Sequence, residues 1–326
     1  MGILLLKETE IRGLIELPEA ITAMEEAFTA YSKKAATVPP VVALEVPEHQ
    51  GEVHIKAGRL HAIDEYVLKV AAGFWENRSK DLPIGSGLMV VFSAITGFPL
   101  AILLDNGYLT ELRTAAAGGV AAKFMAPQSV HQVAIIGAGS QGRWQLEALA
   151  CVRKFNKVLI YDHHQKNISR YIEEMQPRIS AEMQGADSVE NAVQSSQVII
   201  TATPSREPVV LSKWVQPGTH ITALGSDGPD KQELDVDLLA RADRIVADSL
   251  VQCLRLGEIH HAVERGLLTA EEVEGELGDV ITGKISGREH PEEITVCDLT
   301  GVGVQDASIA HLAYQKARSL KMGIEV

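Results

Sequence analysis

The sequence predicts an α/β fold in which a doubly wound parallel sheet is inserted into an α+β region. Three observations support this prediction. From Val130 to Asp248, strand-like apolar runs alternate with helical segments, which is typical of a parallel sheet covered on both faces. Between Val41 and Leu104, strand-like runs follow one another without helices, which indicates an antiparallel or mixed sheet. A glycine-rich turn, Gly137–Gly142, lies where a strand of the alternating region meets its helix.

Length and composition indicate a globular protein with two domains. The chain has 326 residues, of which 46% are hydrophobic and 22% charged, as in ordinary globular proteins. A net charge of -13 argues against nucleic acid and anionic membranes as partners, since both select for basic patches. The run Ile3–Leu6 is too short for a signal peptide, and no apolar stretch reaches membrane-spanning length. The three cysteines form no C-x-x-C pair, so a cytoplasmic protein with reduced thiols is predicted.

The predicted elements define the domain boundaries. The first region begins with a helix over Leu17–Lys34, and it ends with a helix over Glu111–Phe124 that has Thr110 as its N-cap. Its predicted strands are Val41–Val46, Glu52–Leu60, Tyr66–Phe74, Leu88–Ala94 and Pro99–Leu104. Those of the alternating region are 130–137, 158–162, 197–203, 219–225, 244–248 and 294–297. A final helix over Val302–Leu320 is predicted to return to the first domain, which therefore comprises residues 1–124 and 302–326, with 125–301 as the second.

The glycine-rich turn has the pattern of a dinucleotide-binding site. Apolar residues lead into three glycines spaced G-x-G-x-x-G, and a helix-compatible run follows. The first glycine allows a tight turn, the second lets a pyrophosphate approach the backbone, and the third lets the helix pack closely on the strand. The N-terminus of that helix offers N–H groups and a positive dipole end to the phosphates. The alternative is an ordinary strand–helix turn. The predicted cofactor-binding residues of this turn are Gly137, Gly139, Ser140, Gln141 and Gly142.

The charge at Asp162 indicates which dinucleotide is bound. Asp162 ends the next strand-like run, Lys157–Tyr161, at the place where a carboxylate accepts hydrogen bonds from ribose hydroxyls. A carboxylate there repels a 2′-phosphate, so NAD(H) is favoured over NADP(H). His163 and His164 follow, and their protonation would weaken this preference.

Two lysines within apolar strands are candidates for proton transfer. Lys56 lies in the run His54–Gly58 and Lys69 in the run Val67–Ala71. A buried ammonium group is costly without a partner, and burial lowers its pKa toward neutrality. Such a lysine suits acid/base catalysis. The alternative is that either side chain lies on a solvated face of the sheet.

Four further residues are candidates for ligand contacts. Arg113 lies one turn into the predicted helix after Thr110, where the guanidinium fork and the helix dipole both favour an anion such as a carboxylate. A surface ion pair is the alternative. Asp227 follows an apolar strand, at the edge where ligands of parallel sheets bind, although an Asx turn explains it equally well. Thr203 and Ser205 follow another strand in the same way.

No metal site is predicted. His260 and His261 are adjacent on a predicted helix, so their side chains are expected to point in different directions, without an acidic or cysteine partner at ligand spacing. We interpret them as part of a solvated helix face. His163 and His164 are interpreted as neighbours of the adenosine site.

Four stretches resemble the ornithine cyclodeaminase/mu-crystallin family, and the resemblance extends over nearly the whole chain. They are Asp105–Ala117, Ile136–Gly142, Gly225–Leu234 and Asp298–Asp306. Gly73–Asn77 and Asn106–Tyr108 look most like the branch of imine reductases (iminosuccinate reductase-like) and ectoine-utilisation enzymes. The resemblance implies a substrate-binding and dimerisation domain over 1–124 and 302–326, a Rossmann NAD-binding domain over 125–301, and a homodimer.

The resemblance also implies roles for individual residues. Lys69 would be the acid/base that contacts the substrate, Arg113 would bind its carboxylate, and Asp227 would be a catalytic carboxylate. Thr114 would lie beside the cofactor phosphates. The residues implied to line the cofactor are Thr203, Ser205, Lys231 and Thr300.

One position departs from the family pattern. Cyclodeaminases carry an arginine shortly after the proline segment, as a second ligand of the substrate carboxylate. This chain has valines at 41 and 42, after Pro39 and Pro40. Lys56 is the candidate replacement, and the missing arginine disfavours ornithine as the substrate.

Three functions are compatible with these residues. The first is an NAD(H)-dependent oxidoreductase, an imine reductase or amino-acid dehydrogenase, that acts on a small α-imino or α-amino acid. The second is a cyclodeaminase-type ammonia lyase with catalytic NAD that acts on a diamino acid, which Asp227 favours. The third is a non-enzymatic, crystallin-like ligand-binding protein, which the combination of Lys69, Arg113 and Asp227 disfavours.

Overall fold

The computed structural model describes residues 2–326. The strands are β1 (Leu4–Lys7), β2 (Ala36–Thr37), β3 (Val42–Val46), β4 (Gly51–Leu60), β5 (Glu65–Phe74), β6 (Gly85–Ser93), β7 (Pro99–Leu104), β8 (Gln132–Ile136), β9 (Lys157–Tyr161), β10 (Glu182–Gly185), β11 (Val198–Thr201), β12 (His220–Ala223), β13 (Arg244–Ala247), β14 (Gly275–Glu276), β15 (Thr295–Asp298) and β16 (Ile324–Glu325). The helices are α1 (Glu8–Ile11), α2 (Leu17–Ser32), α3 (Tyr108–Met125), α4 (Ser140–Val152), α5 (Gln165–Met175), α6 (Val189–Gln194), α7 (Val236–Arg241), α8 (Leu250–Cys253), α9 (Gly257–Glu264), α10 (Leu277–Ile281) and α11 (Gly303–Leu320). None of these helices is long and apolar enough to span a membrane.

The chain forms two compact units. The first consists of the chain up to Arg113 together with Val302–Val326, and the second of Thr114–Gly301. The division falls inside α3, whereas the sequence predicted a boundary after residue 124. The functions predicted for the two regions remain predictions.

The first unit is built on a mixed sheet, as the sequence predicted. Its strand order is β16-β1-β7-β6-β5-β4-β2, and β3 pairs with β4. Only β1 and β7 pair in parallel among the pairs of this sheet within residues 2–326. Because side chains alternate between the faces of a strand, the register β4–β5–β6 places Lys56, Lys69 and Met89 on one face. The helix α11 packs on β4 and β5, and α2 packs on α11.

The second unit contains a doubly wound parallel sheet, which confirms the predicted fold class. Its strand order is β10-β9-β8-β11-β12-β15-β13-β14, and all these pairs are parallel. The strand order reverses between β8 and β11, where open α/β sheets bind their ligands. Strands β8, β11 and β12 are almost entirely buried, because helices cover both faces of such a sheet.

The start of α3 differs from the prediction. The helix begins at Tyr108 rather than after Thr110, because the Leu109 N–H donates to Oδ2 of Asp105 at 2.8 Å. Asp105 therefore satisfies an N-terminal amide of the helix, as capping residues do. Asn106 and Gly107 form the left-handed turn that precedes it, with φ of 53° and 86°. Arg113 consequently lies in the second turn of the helix, not the first.

Candidate functional site

Four charged side chains lie together in the first unit, and we call Lys56, Lys69, Arg113 and Asp306 the charged group. Lys69 Nζ donates to Asp306 Oδ1 at 3.0 Å. Arg113 Nε donates to the same oxygen, also at 3.0 Å. None of the four side chains is more than 7% exposed. Both lysines lie on the buried face of the sheet, so the alternative of a solvated lysine is wrong for each of them.

The sequence builds the charged group from four elements. Strands β4 and β5 place Lys56 and Lys69 directly opposite each other. Helix α3 contributes Arg113, and the first turn of α11 contributes Asp306. A Cβ added at Gly303 would collide with the carbonyl oxygen of Ala57. The glycine at the start of α11 thus lets the helix approach the backbone of β4 and brings Asp306 to the lysines.

The environment of the charged group changes its proton affinity. Burial, together with the positive charges of Arg113 and Lys56, lowers the pKa of Lys69 to about 7, although Asp306 opposes this change. Burial alone would raise the pKa of Asp306, but the positive charges of Lys69, Arg113 and Lys56 hold it below its ordinary value. Lys69 can therefore donate or accept a proton near neutral pH.

A second carboxyl group feels the same charges. Burial raises the pKa of Asp105 to about 6, although backbone N–H donors and the charge of Lys69 oppose this rise. Its Oδ1 has no hydrogen-bond partner within residues 2–326. Asp105 is therefore a second buried group of the first unit whose pKa lies closer to neutrality than its ordinary value.

The glycine-rich turn of the second unit fits a pyrophosphate. Gly137 has φ of 106°, and a Cβ added there would lie 2.5 Å from the carbonyl oxygen of Ala202. A Cβ at Gly142 would collide with the carbonyl oxygen of Gly137. Gly139 is exposed and a Cβ there would meet nothing within 4 Å, which leaves its backbone open to a ligand. Helix α4 starts at the next residue, Ser140, with its N-terminal amides available to an anion.

Asp162 is fixed beside this turn by three hydrogen bonds. Its Oδ2 accepts from the Ala138 N–H at 3.1 Å. Its Oδ1 accepts from the His164 N–H at 2.9 Å and from Asn167 Nδ2 at 2.8 Å. The carboxylate is half-buried and oriented, as expected of a group that binds a ribose diol.

Two predicted residues form an ion pair on the loop after β12. Lys231 Nζ donates to Asp227 Oδ1 at 2.7 Å, and the Asp227 side chain is 44% exposed. Lys231, predicted to line the cofactor, is thus also a partner of the predicted catalytic carboxylate. The two roles remain predictions.

Glu233 joins the carboxyl ends of two adjacent strands, β11 and β12. Its Oε1 accepts from the N–H and hydroxyl of Thr203, at 2.6 and 2.7 Å. Its Oε2 accepts from the Thr201 hydroxyl at 2.7 Å and the Gly225 N–H at 2.8 Å. Burial raises the pKa of Glu233, and these donors oppose the rise. Glu233 therefore shapes the edge at which the cofactor is predicted to bind.

The remaining predicted cofactor residues are held by local hydrogen bonds. Ser205 donates its hydroxyl to the carbonyl of Glu207 at 2.6 Å. Thr300 is buried and donates its hydroxyl to Asp248 at 2.9 Å. The Thr114 carbonyl accepts from Gln145 Nε2 at 2.9 Å, and that amide also contacts Gln141.

The interpretation of His260 and His261 as a solvated face is wrong. His260 is buried, and the two rings lie 3.8 Å apart, centroid to centroid. Glu264 lies close enough to form a cluster of potential metal ligands with them. The rings instead contact backbone carbonyls, His260 that of Pro229 at 3.0 Å and His261 that of Lys231 at 2.8 Å. They tie helix α9 to the loop of Asp227.

Three residues of these sites received no role from the sequence: Asp105, Glu233 and Asp306. All three lie inside the stretches that resemble the family. Spacing along the chain could not reveal their contacts, because Asp306 meets Lys69 across 237 positions. Asp306 is an acidic residue among mostly small or apolar residues at the start of a predicted helix. Such a carboxylate is rarely buried without a partner, and this is the one signal in the sequence that indicated a buried ion pair.

The family model "Ornithine cyclodeaminase/mu-crystallin family" matches residues 3–321. The chain belongs to the ornithine cyclodeaminase/mu-crystallin family. Among solved structures of this family, an archaeal alanine dehydrogenase dimer with bound NAD is 39% identical, with a TM-score of 0.94 over 100% of this chain and 99% of that one.

Two further structures resemble this family member over its whole length. One is the Δ(1)-pyrroline-2-carboxylate reductase of Thermococcus litoralis in complex with NADH and L-proline. It is 34% identical, with a TM-score of 0.95 over 99% of this chain and 100% of that one. The other is the iminosuccinate reductase of Paracoccus denitrificans in complex with NAD+. It is 31% identical, with a TM-score of 0.90 over 100% of this chain and 99% of that one.

Proposed function

We propose that this protein is an imine reductase or amino-acid dehydrogenase that acts on the C=N or C–N bond of a small α-imino or α-amino acid. It is an NAD(H)-dependent oxidoreductase, like the relatives whose structures carry NAD+ or NADH. The observation that carries the proposal is that Lys69 and Arg113 both donate a hydrogen bond to the same oxygen of Asp306.

The charged group supports two roles in this reaction. Arg113 binds the substrate carboxylate, with Lys56 as a second cation. Lys69, with a pKa of about 7, gives a proton to the substrate nitrogen in reduction and takes it back in oxidation. When bound, NADH supplies the hydride that adds to the α-carbon.

The second unit supports NAD(H) as the preferred cofactor. The Asp162 carboxylate is oriented to accept from ribose hydroxyls, and its charge opposes a 2′-phosphate. The nearby guanidinium of Arg143 donates to Glu174 at 2.7 Å and to the Gly139 carbonyl at 2.9 Å. These bonds engage the cation that a 2′-phosphate would need.

A homodimer is part of the proposal. The face of the first sheet that points away from α11 carries exposed apolar side chains, and a related alanine dehydrogenase is a dimer. Contiguous apolar faces of this kind mark association surfaces. The side chains are Val42, Leu44, Ile55, Leu68 and Leu104, between 37% and 58% exposed.

A cyclodeaminase is the second candidate, because Asp227 and Lys231 form an ion pair at the ligand-binding edge of the parallel sheet. A substrate screen separates the two functions. In the first panel, the purified protein is mixed with NADH and either a cyclic ketimine, iminosuccinate, or a keto acid with ammonia. In the second panel, it is mixed with NAD+ and a diamino acid. We expect NADH oxidation with a member of the first panel. Ammonia release from a diamino acid without accumulating NADH would identify a cyclodeaminase. No turnover with any compound would contradict both proposed functions.

A further inference from the structure

We propose that Asp306 is a positioning residue for this reaction: its single shared oxygen holds Lys69 and Arg113 side by side and keeps Lys69 protonated where the reduction needs it. The inference rests on the function proposed above. Asp306 acts through Lys69 and Arg113 and need not touch the substrate itself.

The geometry is unlike that of an ion pair that only stabilises the fold. Both 3.0 Å bonds end on Oδ1, whereas the buried Oδ2 has no hydrogen-bond partner within residues 2–326. Buried carboxylates in stable cores generally use both oxygens. The arrangement instead fixes two cations at one point.

The charges around Lys69 explain what Asp306 contributes. Arg113 from α3 and Lys56 from β4 both disfavour its protonated form. Asp306 from α11 favours that form, as does the carboxylate of Asp105 before α3. The residue opposite Lys69 on β6 is the uncharged Met89. Without the Asp306 charge, the balance shifts to the cations and Lys69 loses its proton at lower pH.

The reaction converts this balance into a measurable pH dependence. In reduction, the C=N π bond breaks, the α-carbon gains the hydride that bound NADH would supply on becoming NAD+, and protonated Lys69 gives its proton to the nitrogen. A proton from solvent then restores protonated Lys69. Reduction therefore declines as pH rises through the pKa of Lys69. In oxidation, neutral Lys69 accepts the nitrogen proton, so this direction declines as pH falls through the same pKa.

The test compares kcat/KM against pH for the wild-type protein and Asp306→Asn, in both directions. The two limbs of interest are the decline of reduction at high pH and the decline of oxidation at low pH. We expect both limbs to move to lower pH by about one pH unit or more, because an opposite charge at this distance shifts the pKa of a group such as Lys69 by about 1 to 3. KM for the substrate should rise as well, because Arg113 loses its anchor. Ser308→Ala is the control, since Ser308 lies on the same helix and donates to the Ala23 carbonyl at 3.0 Å. It should lower stability and leave both limbs in place.

Limbs of Asp306→Asn that coincide with those of the wild type would overturn the inference. If this variant does not fold, the double variant Lys56→Gln/Asp306→Asn replaces it, because it preserves the net charge of the charged group. Its limbs should lie at lower pH than those of the single variant Lys56→Gln. Equal limbs in that pair would overturn the inference equally. Absence of turnover in the wild-type protein is a different result, since it defeats the proposed function.

Discussion

Lys69 behaves differently from a lysine in water because of its surroundings, not its chemistry. It is 2% exposed, and burial with two neighbouring cations lowers its pKa to about 7. The sequence predicted this behaviour from one fact, a lysine inside an apolar strand. It could not predict the partner, because Asp306 lies far along the chain.

Removal of the Lys69 amine should separate binding from chemistry. Lys69→Ala is expected to lower kcat by about 10²- to 10⁴-fold, the usual contribution of a general acid or base. NADH binding should persist, because most of the residues predicted to bind the cofactor lie in the other unit, Thr114–Gly301. Turnover and NADH fluorescence titration measure the two effects. The matched control is Lys33→Ala, an exposed lysine of the same unit, and normal turnover of Lys69→Ala would contradict the assignment.

At the same scale, Asp162 is the residue that we propose to determine cofactor choice. Asp162→Asn removes the charge that opposes a 2′-phosphate while keeping an oxygen for the His164 amide. We expect the ratio of kcat/KM for NADH to that for NADPH to fall about tenfold or more, which corresponds to about 1.4 kcal/mol. Steady-state kinetics with both cofactors measures it. An unchanged ratio would show that another group sets the preference.

At the scale of elements, the sequence predicted long periodic segments well and short ones poorly. The boundaries of β4, β5 and β7 and of α11 differ from the predicted ones by a single residue or less. The short strands β1, β2, β10, β14 and β16 were not predicted, since two to four residues carry too little periodicity. The predicted start of α3 was wrong. The Asp105 carboxylate, which lies before a left-handed turn, accepts a hydrogen bond from the Leu109 N–H and so allows the helix to begin earlier.

Glu233 is the side chain that links two elements of the second unit. Glu233→Gln replaces one of the two accepting oxygens with an NH₂ group that faces hydrogen-bond donors. We expect the free energy of unfolding to fall by about 2–3 kcal/mol. The melting temperature should fall by about 4–12 °C, and NADH should bind more weakly because Thr203 and Gly225 lose their shared partner. Thermal unfolding and NADH titration measure both. Glu182→Gln, an exposed change on β10, is the control, and equal behaviour of the two variants would contradict this role.

At the scale of the whole molecule, the two sheets differ in how their faces are covered. The parallel sheet of the second unit has helices on both faces, as its buried strands indicate. The mixed sheet of the first unit has α11 on one face only and exposes apolar side chains on the other. Sequence alone could not assign that face, because alternation fixes which residues share a face and not which face is covered.

A charge on the exposed face should disrupt the proposed dimer. Leu44 is 53% exposed, and Leu44→Glu would bury a carboxylate in any interface that covers it, at a cost of several kcal/mol. We expect sedimentation velocity to show monomers at concentrations where the wild-type protein is dimeric. Leu267→Glu, at an apolar position 44% exposed in the second unit, should remain dimeric. A dimer of Leu44→Glu as tight as the wild type would place the interface elsewhere.

The position of Asp306 also governs when the first unit can be completed during synthesis. Its hydrogen bonds to Lys69 and Arg113 span 237 and 193 positions, so the ribosome makes the cations long before their counter-ion. Until α11 emerges, burial of those cations is unfavourable, and the nascent N-terminal region cannot settle into its final packing. The first unit therefore cannot complete the hydrogen bonds of its charged group until translation has passed residue 306.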